Sequence, residues 1–305
     1  MTKLKTIFSL LAIALIIYAC GDDNNFNNPF ADIDHEALAV SDNDSLVKFL
    51  KNFYYDSSLD SLKEMTSGKT SLFDDTAKLK IVNVTENDID YKLYAYVVEE
   101  GSPSPNPDKG NPTSVDSVFV KYSGNTLSGT DYGRSAFDSN TSGIWFSLTA
   151  VVRGWSYGFS NFKGGSLKKD ANGGPFNGPI TYLNSGKGYV FIPSGLAYPS
   201  SNTQNYSSAL VDTNIMFHIN LLDFVKDTDH DNDGVPTIME DLDGDKSPNN
   251  DDTDSDGLPN FFDSDDDGDG VLTKDEDKNN DGDPTNDFND PSNPTLPDYL
   301  NPNIK

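Results

Sequence analysis

Val151-Val152-Arg153-Gly154-Trp155 is the stretch that decides the fold, and its meaning depends on what surrounds it. The stretch opens a short helical segment over residues 154–162 that contains a second glycine, so this segment needs a sheet to lie on. Runs with alternating or β-branched residues predict strands around it, at residues 80–84, 92–98, 118–122, 189–192 and 215–222. Several strands with one helix across them predict an α+β domain.

The strong negative charge of the chain limits the kind of molecule that it can bind. The 305 residues carry a formal net charge of −27, and about half of the 49 Asp and Glu residues follow Lys226. A tail this acidic repels nucleic acid and anionic surfaces, so the sequence argues against nucleic-acid binding and predicts cations as partners. The single cysteine, Cys20, leaves no partner for an internal disulfide.

The first twenty residues have the pattern of an export signal. Lys3 and Lys5 precede an apolar run over residues 7–19, which is too short to span a bilayer comfortably. Cys20 stands where a bacterial lipoprotein signal places its lipidated cysteine. This resemblance implies a signal peptide over residues 1–20 and a membrane anchor. An ordinary signal with an incidental cysteine is the alternative.

The residues after the signal predict a tether and then a helix. Residues 21–40 begin as a polar, flexible tether, and the acidic pair Asp22-Asp23 resembles a surface-export signal of Gram-negative lipoproteins. The expected location is therefore the outer membrane, on its periplasmic or cell-surface face. A helical extension is expected over residues 41–77, opening with the capping side chains of residues 42–45. It is expected to pack on the next domain, with a dimer contact as the alternative.

The order of short motifs over residues 78–223 resembles the FKBP family of peptidyl-prolyl isomerases. Besides residues 151–155, the motifs are Val120-Lys121-Tyr122-Ser123-Gly124, Ala136-Phe137-Asp138-Ser139, Ile192-Pro193-Ser194-Gly195-Leu196-Ala197-Tyr198 and Phe217-His218-Ile219-Asn220-Leu221-Leu222. The resemblance implies an FKBP-like antiparallel sheet wrapped on one short helix. It also implies an enzyme that acts on proline-containing, exported or surface polypeptides.

The family's chemistry needs no cofactor. Rotation about an X-Pro amide crosses a barrier of about 18–20 kcal/mol, and the enzyme must bind the twisted amide better than either planar isomer. By resemblance, Trp155 would form the pocket floor, and Val152 would offer its N–H to the carbonyl before the proline. Tyr198 would donate its hydroxyl to a neighbouring carbonyl, and Asp138 would orient Tyr122. The implied pocket also includes Phe137, Phe146, Val151 and Phe217.

Two departures from the family pattern bear on activity. Residues 166–185 form an insertion rich in Gly, Asn and Pro, for which a lid or a second contact beside the pocket is one interpretation. Pro199 stands where the family usually has glycine, and it restricts the loop after Tyr198. The alternative function is therefore a non-catalytic, calcium-dependent peptide-binding or structural lipoprotein. Chaperone activity is compatible with either function.

From Asp229 the chain repeats a metal-binding pattern, which defines an acidic region over residues 227–300. Oxygen ligands at places one, three and five, a glycine at six and a carboxylate at twelve suit Ca²⁺. The candidate ligands form four copies: Asp229, Asp231, Asp233 and Glu240; Asp252, Asp254, Asp256 and Asp263; Asp265, Asp267, Asp269 and Glu276; and an incomplete Asp277, Asn279 and Asp281. The stretch Asp241-x-Asp243-x-Asp245 departs from the pattern because Lys246 replaces the glycine.

Prolines two places after the glycine argue against paired EF-hands. Pro236, Pro259 and Pro284 each stop an incoming helix. The region therefore resembles thrombospondin type 3 repeats, in which the chain winds around its ions, and Ca²⁺ is expected as a structural ion. Magnesium is the second choice, and a disordered acidic tail is the alternative. Without metal the region is expected to be mostly unfolded, and with calcium it is expected to form a compact rod.

Overall fold

The computed structural model describes residues 30, 32–103, 109–128, 131–133 and 135–305. The chain divides into two units, residues 1–34 and 35–305, and the second unit holds every element discussed below. The expected signal peptide, most of the tether and Cys20 lie outside the described residues. No helix in the described ranges is long and apolar enough to cross a membrane.

A seven-stranded sheet forms the centre of the second unit, in the order β3-β4-β10-β11-β5-β6, with β7 also paired to β5. Two separate hairpins, β1–β2 and β8–β9, accompany it. The strands are β1 (Phe53–Asp56), β2 (Ser61–Glu64), β3 (Leu79–Glu86), β4 (Ile89–Glu99), β5 (Ser117–Ser128), β6 (Asp131–Tyr132), β7 (Asp138–Ser147), β8 (Ser166–Leu167), β9 (Tyr182–Leu183), β10 (Gly186–Ile192) and β11 (Ile215–Val225). Every strand pairing in the described residues is antiparallel. The expected α+β class, a mostly antiparallel sheet with few helices, is confirmed.

Two helices cover the two faces of the sheet. Helix α1 (His35–Asn52) packs on one face against a core that includes Tyr94 and Phe191, whereas helix α2 (Arg153–Gly158) packs on the other face. Because side chains alternate between faces along a strand, β4 is buried on both sides. Its near-continuous apolar run, rather than a strict alternation, follows from this double coverage.

Two glycines let α2 approach the sheet closely. A Cβ built on Gly154 would lie 2.4 Å from Cγ2 of Ile192, and one on Gly158 would lie 2.8 Å from Cγ1 of Val190. Such distances are shorter than any real carbon contact, so only glycine fits at these helix positions. The close approach brings the start of α2, and with it Trp155, down onto the sheet.

The N-terminal helix begins earlier than the sequence indicates. It starts at His35, not near Ser41, so the expected capping residues lie inside the helix. It ends at Asn52, so the expected helical extension over residues 41–77 is wrong beyond that point, where the β1–β2 hairpin follows. The side chains of Asp42 and Asn43 make tertiary contacts instead of capping the helix. Asp42 accepts hydrogen bonds from the Ser194 N–H at 2.9 Å and from its hydroxyl at 2.6 Å, and Asn43 accepts one from the Tyr94 hydroxyl at 2.8 Å. The polar residues therefore hold the helix against the sheet and the loop after β10.

The acidic region follows β11 without strands or α-helices in its described residues, which are complete from residue 227 onward. It consists of turns and short 3₁₀ segments that are closed by a recurring backbone hydrogen bond. The N–H groups of Thr237, Asn260, Thr273 and Asp298 donate to the carbonyls of Thr228, Asp251, Ser264 and Asp287, at 2.8–2.9 Å. The first three bonds each close a loop of about ten residues around one copy of the sequence repeat, so these three copies also repeat in backbone geometry, whereas the fourth bond closes residues 287–298, after the last copy.

Candidate functional site

An aromatic cavity of about 130 Å³ lies between α2 and the sheet. Its lining residues are Tyr122, Asp138, Phe146, Val151, Val152, Trp155, Tyr198 and Phe217. The structure thus brings together eight of the nine pocket residues inferred from the sequence. The ninth, Phe137, lies behind the wall, with its ring 5.6 Å from that of Phe217.

Separate elements deliver these side chains. Tyr122 comes from β5, Phe217 from β11, and Trp155 from the first turn of α2. The two ends of β7 supply Asp138 and Phe146, although no strand was predicted there from the sequence. The residues of β7 before Phe146 are mostly polar and lack an apolar alternation, so pairing with β5 rather than local pattern makes them a strand.

Trp155 forms the floor of the cavity, with only 3% of its surface exposed. Four aromatic rings meet it edge to face: Tyr122 at 5.2 Å, Phe146 at 5.4 Å and Phe217 at 5.0 Å from the cavity lining, and Phe159 at 5.1 Å, all between ring centroids. Edge-to-face contacts place the positive edge of one ring on the negative face of another, and this fixes the rings in place. The indole N–H is buried and has no hydrogen-bond partner among the described residues.

Besides the indole N–H, the polar side-chain groups of the cavity are two hydroxyls and one carboxylate. The Tyr122 hydroxyl donates to Oδ2 of Asp138 at 2.7 Å. Burial, assisted by this carboxylate, raises the pKa of Tyr122 to about 12. Burial, followed by the charge of Asp138, also raises the pKa of Tyr198. Both hydroxyls therefore remain protonated donors at neutral pH.

The loop that carries Tyr198 is held at both ends. Asp42 of α1 binds Ser194 at the start of the loop, as described above. After Tyr198, its carbonyl accepts a hydrogen bond from the Asp212 N–H at 3.1 Å, and the Asp212 carboxylate accepts one from the Ser200 N–H at 2.8 Å. These contacts fix the backbone around Pro199, which the sequence showed only as a departure from the family pattern.

A wider groove of about 840 Å³ adjoins the cavity and shares Val151, Val152 and Tyr198 with it. The loop over residues 195–205 forms its other side. No residue of the 166–185 insertion lines the groove or the cavity, so the interpretation of the insertion as a lid beside the pocket was wrong. Tyr182 of the insertion packs instead on Phe119, with ring centroids 5.7 Å apart.

The acidic loops share one internal hydrogen bond. In each loop the N–H of the sixth residue donates to Oδ2 of the first aspartate, at 2.7–3.1 Å. The sixth residue has a positive φ, which favours glycine. Lys246 adopts the same conformation, with a φ of 68°, and its N–H donates to Asp241 at 2.9 Å. Residues 241–251 thus form a fifth loop of the same kind, which the sequence pattern alone treated as a departure.

Carboxylates gather in these loops closely enough to hold cations. Oxygens from three acids lie within 4.8 Å of one another in five places: Asp229, Asp231 and Asp233; Asp233, Glu240 and Asp266; Asp241, Asp243 and Asp251; Asp252, Asp254 and Asp256; and Asp265, Asp267 and Asp269. The expected ligands Asp263 and Glu276 lie outside these groups, as do Asp277, Asn279 and Asp281 of the last copy. Asn286 instead donates to Asp281 at 3.0 Å and accepts from Asn279 at 2.6 Å.

The groups have the chemistry of a cation site. Many of their oxygens are buried without a hydrogen-bond partner in the described residues, including both from Glu240, and Oε1 of Glu276, outside the groups, is buried in the same way. Burial and neighbouring carboxylates raise the pKa of Glu240 to about 10 and that of Glu276 to about 8. A protein buries such groups in their charged form only when a cation neutralises them. An all-oxygen, carboxylate-rich donor set fits Ca²⁺.

The acidic region contacts the helix that carries the cavity floor. Arg153 pairs with Glu86 at 2.9 Å, and its other nitrogens donate to the carbonyls of Lys246 at 2.7 Å and Asp245 at 3.3 Å. The ammonium of Lys246 lies 5.1 Å from the ring centroid of Tyr157. The fifth acidic loop is therefore packed on the outer side of α2, one residue away from the cavity residue Val152.

A family model described as BamM C-terminal matches residues 230–302, which is most of the acidic region. No curated protein matches the chain.

Among solved structures, the chain is similar to peptidyl-prolyl isomerases. One from Pseudomonas syringae pv. tomato is 17% identical, and the match covers 64% of this chain and 98% of that one, with a TM-score of 0.35. FkpA from Escherichia coli is 23% identical over 47% of this chain and 52% of its own, with a TM-score of 0.31. The N-terminal domain of FKBP42 from Arabidopsis thaliana is 14% identical over 48% and 93%, again with a TM-score of 0.31. Likenesses this weak establish neither the fold family nor the activity of this chain.

Proposed function

We propose that this chain is an FKBP-type peptidyl-prolyl cis-trans isomerase that acts on proline-containing segments of exported or surface polypeptides. The observation that supports it most is the aromatic cavity over Trp155, with the Tyr122–Asp138 hydrogen bond in its wall. A volume of about 130 Å³ is only about four times the share of one water molecule in the liquid, so the cavity suits a single side chain.

Catalysis would come from binding the twisted amide. Rotation removes the resonance of the amide, so a cavity with little water favours the twisted form over the planar forms. The proline ring would lie on Trp155, and the Tyr198 hydroxyl would donate to a substrate carbonyl. The Val152 N–H makes no hydrogen bond within the described residues, so it can bind the carbonyl before the proline. No residue of this mechanism acts as a general acid or base.

The groove beside the cavity would hold the residues next to the proline. Because it shares Val151, Val152 and Tyr198 with the cavity, an extended peptide can enter both at once. The groove also supports the alternative function, a non-catalytic module that holds a proline-containing peptide without turnover. Pro199 lies in the groove and favours this alternative, since its fixed φ limits the movement of the loop.

The proposal is tested by isomerisation of a short X-Pro peptide, whose uncatalysed relaxation takes about 10–100 s. The full chain should be used, because α1 begins at His35 and packs on the sheet. We expect acceleration that is lost in the Asp138→Ala, Tyr198→Phe double variant and kept in Tyr54→Phe, a change outside the cavity. Peptide binding without any acceleration would contradict the enzyme and support the binding module.

We further propose that Cys20 carries a lipid anchor and that the protein resides in the outer membrane of a Gram-negative bacterium, on its periplasmic or cell-surface face. The sequence pattern before Cys20 supports this proposal. Labelled fatty acid should be incorporated into the wild type and not into Cys20→Ala. Protease treatment of intact cells would then distinguish the cell-surface face from the periplasmic one.

We also propose that Ca²⁺ is the structural ion of the acidic region. Support comes from the clustered, unpartnered carboxylate oxygens and from the repeated loop geometry. Binding to the folded region alone stabilises it by mass action. Millimolar calcium should therefore protect residues 227–300 from proteolysis, and equal cleavage in calcium and in chelator would contradict the proposal.

A further inference from the structure

One group of carboxylates is unlike the others because it joins two loops that are far apart in the chain. Asp233 and Glu240 belong to the first acidic loop, whereas Asp266 lies in the loop that begins at Asp265. The three side chains are 1%, 0% and 1% exposed, respectively. The repeat pattern does not assign Asp266 any role, since it falls between two of the expected ligand places.

Five of the six carboxylate oxygens in this group have no partner in the described residues, and the sixth, Oδ1 of Asp233, accepts from the Val235 N–H at 2.8 Å. Both oxygens of Glu240, both of Asp266 and Oδ2 of Asp233 are buried and make no hydrogen bond. The backbone holds Asp266 in place, since its N–H donates to the Thr273 hydroxyl at 3.2 Å. In their charged form, three buried carboxylates with five unpaired oxygens repel one another strongly, and a cation among them would stabilise that charged arrangement.

The geometry of the group suits a calcium ion. One oxygen from each acid lies within 4.8 Å of the others. Ligands on opposite sides of Ca²⁺ are about 4.6–5.2 Å apart, since each Ca–O distance is about 2.3–2.6 Å. Magnesium usually retains several of its own waters, and a group with all three acids about 99% buried leaves little access for them.

Two ions would nearly balance the charges of the group and its neighbour. Asp233 is shared with the adjacent group of Asp229 and Asp231, so five carboxylates surround two possible ion positions. Five negative charges against four positive charges leave a small net charge. A single ion in the first loop would leave Glu240 and Asp266 without a counter-charge.

We propose that Asp233, Glu240 and Asp266 form a second, buried Ca²⁺ site that links the first acidic loop to the loop beginning at Asp265. This inference rests on the proposed calcium binding and adds a ligand from outside the repeat pattern. The ion holds the first acidic loop against the loop that begins at Asp265. Loading of the two loops is therefore cooperative.

The test compares Asp266→Asn with Asp275→Asn in the full chain, using calcium alone as the probe. Asp275 is exposed, lies in the same part of the chain and belongs to none of the carboxylate groups. Asp275→Asn therefore removes the same charge as Asp266→Asn without removing a ligand of the proposed site. Calcium stoichiometry and affinity are measured by titration calorimetry. The resistance of residues 227–300 to proteolysis is measured in calcium and in chelator.

We expect Asp266→Asn to bind one ion fewer, or one ion about tenfold or more weakly, since calcium affinity follows the number of charged ligands. Its protease resistance should fall in calcium and rise in chelator, because the variant removes a buried charge that only the ion compensates. If Asp266 had a merely structural role, its replacement would change the protease resistance in the same direction in calcium and in chelator. Glu240→Gln should behave in the same way, and Asp275→Asn should match the wild type.

The outcomes separate this site from calcium binding in general. If the wild type binds calcium and Asp266→Asn binds the same number of ions with the same affinity, the linking site is wrong and the proposed calcium binding stands. If the wild type binds no calcium, both are wrong.

Discussion

At the scale of single residues, the hydrogen bond between Tyr122 and Asp138 is the feature of the cavity that is easiest to test. The hydroxyl donates to a carboxylate at 2.7 Å, while the ring itself packs on Trp155 at 5.2 Å. Removing only the hydroxyl therefore separates the polar role of Tyr122 from its packing.

Tyr122→Phe should lower kcat/KM for an X-Pro peptide about three- to tenfold, because a hydrogen bond to a partly solvated charge contributes about 0.5–1.5 kcal/mol. The free energy of unfolding should fall by no more than about 1.5 kcal/mol, since the ring contacts remain. Tyr54→Phe is the matched control. An unchanged kcat/KM would mean that Asp138 does not act through Tyr122.

A second single residue, Gly154, sets the distance between α2 and the sheet. In Gly154→Ala the new methyl group would meet Ile192, which is fully buried, at 2.4 Å. The expected loss of unfolding free energy is about 1–3 kcal/mol, despite the better helix propensity of alanine. Gly174→Ala, where the nearest atom is a flexible side chain at 3.4 Å, is the control in denaturant titrations. Equal stability of the two variants would contradict the close packing.

At the scale of elements, α1 acts on the cavity through the loop after β10. Asp42 is a buried carboxylate, and it accepts two hydrogen bonds from Ser194 across 152 positions of sequence. Burial raises its pKa above its usual value of 3.8 more than the hydrogen bonds lower it. The neutral form is therefore favoured by folding.

This shift predicts the pH dependence of stability. Because the pKa of Asp42 is raised in the folded protein, its contribution to stability is full below about pH 3.8 and is lost as the pH rises through the folded pKa. Asp42→Asn should match the wild type near pH 4 and exceed it at pH 7. Asp42→Ala, which leaves the Ser194 hydroxyl unpaired, should lose about 1–3 kcal/mol at both pH values. Parallel pH profiles for wild type and Asp42→Asn would contradict the raised pKa.

Elements with a strong local pattern were predictable from the sequence, and elements set by distant partners were not. The five apolar runs became β3, β4, β5, β10 and β11 because their residues are buried in alternation or on both faces. Strand β7 was missed because its polar residues carry no such pattern. The role of Asp42 was also missed, because its distant partner Ser194 cannot be known from the sequence, and a polar residue near the start of a helix is then interpreted as a helix cap.

In the acidic region, too, the sequence predicted the residues with a local pattern and missed those that only the fold brings together. The loops were visible because the first, third and fifth aspartates recur with a glycine at six. The loop at Asp241 was set aside because Lys246 occupies the glycine place, although the backbone there adopts the same positive φ. Asp266 has no place in the repeat, and only the fold brings it to Glu240.

At the scale of the whole molecule, the acidic region and the sheet domain are in contact at several points. Besides the contacts of Arg153, the Thr228 N–H donates to the buried Asp116 carboxylate at 3.0 Å. His230 and Ser147 share a hydrogen bond of 2.9 Å. Ordering of the acidic region by calcium should therefore stabilise the sheet domain as well.

Chelation of calcium should lower the melting temperature of the sheet domain, by about 2–4 °C for each kcal/mol of coupling. The two tryptophans, Trp145 and Trp155, both lie in that domain, so tryptophan fluorescence, excited selectively over tyrosine, reports on it alone. Arg153→Lys, which keeps the charge and loses the forked contacts to the Lys246 and Asp245 carbonyls, should show a smaller calcium-dependent shift. An identical melting temperature in calcium and chelator, with altered proteolysis of residues 227–300, would mean that the two parts are independent.

The central claim is that the aromatic cavity catalyses cis–trans isomerisation of an X-Pro bond and does not only bind it. Exchange spectroscopy tests this claim most directly. Nuclear magnetic resonance of an X-Pro peptide, with catalytic amounts of the full chain, measures cis–trans exchange and binding in one sample. We predict exchange far faster than the uncatalysed time of about 10–100 s, and its loss in the Asp138→Ala, Tyr198→Phe variant. Binding shifts in the peptide spectrum without any acceleration of exchange would contradict the account.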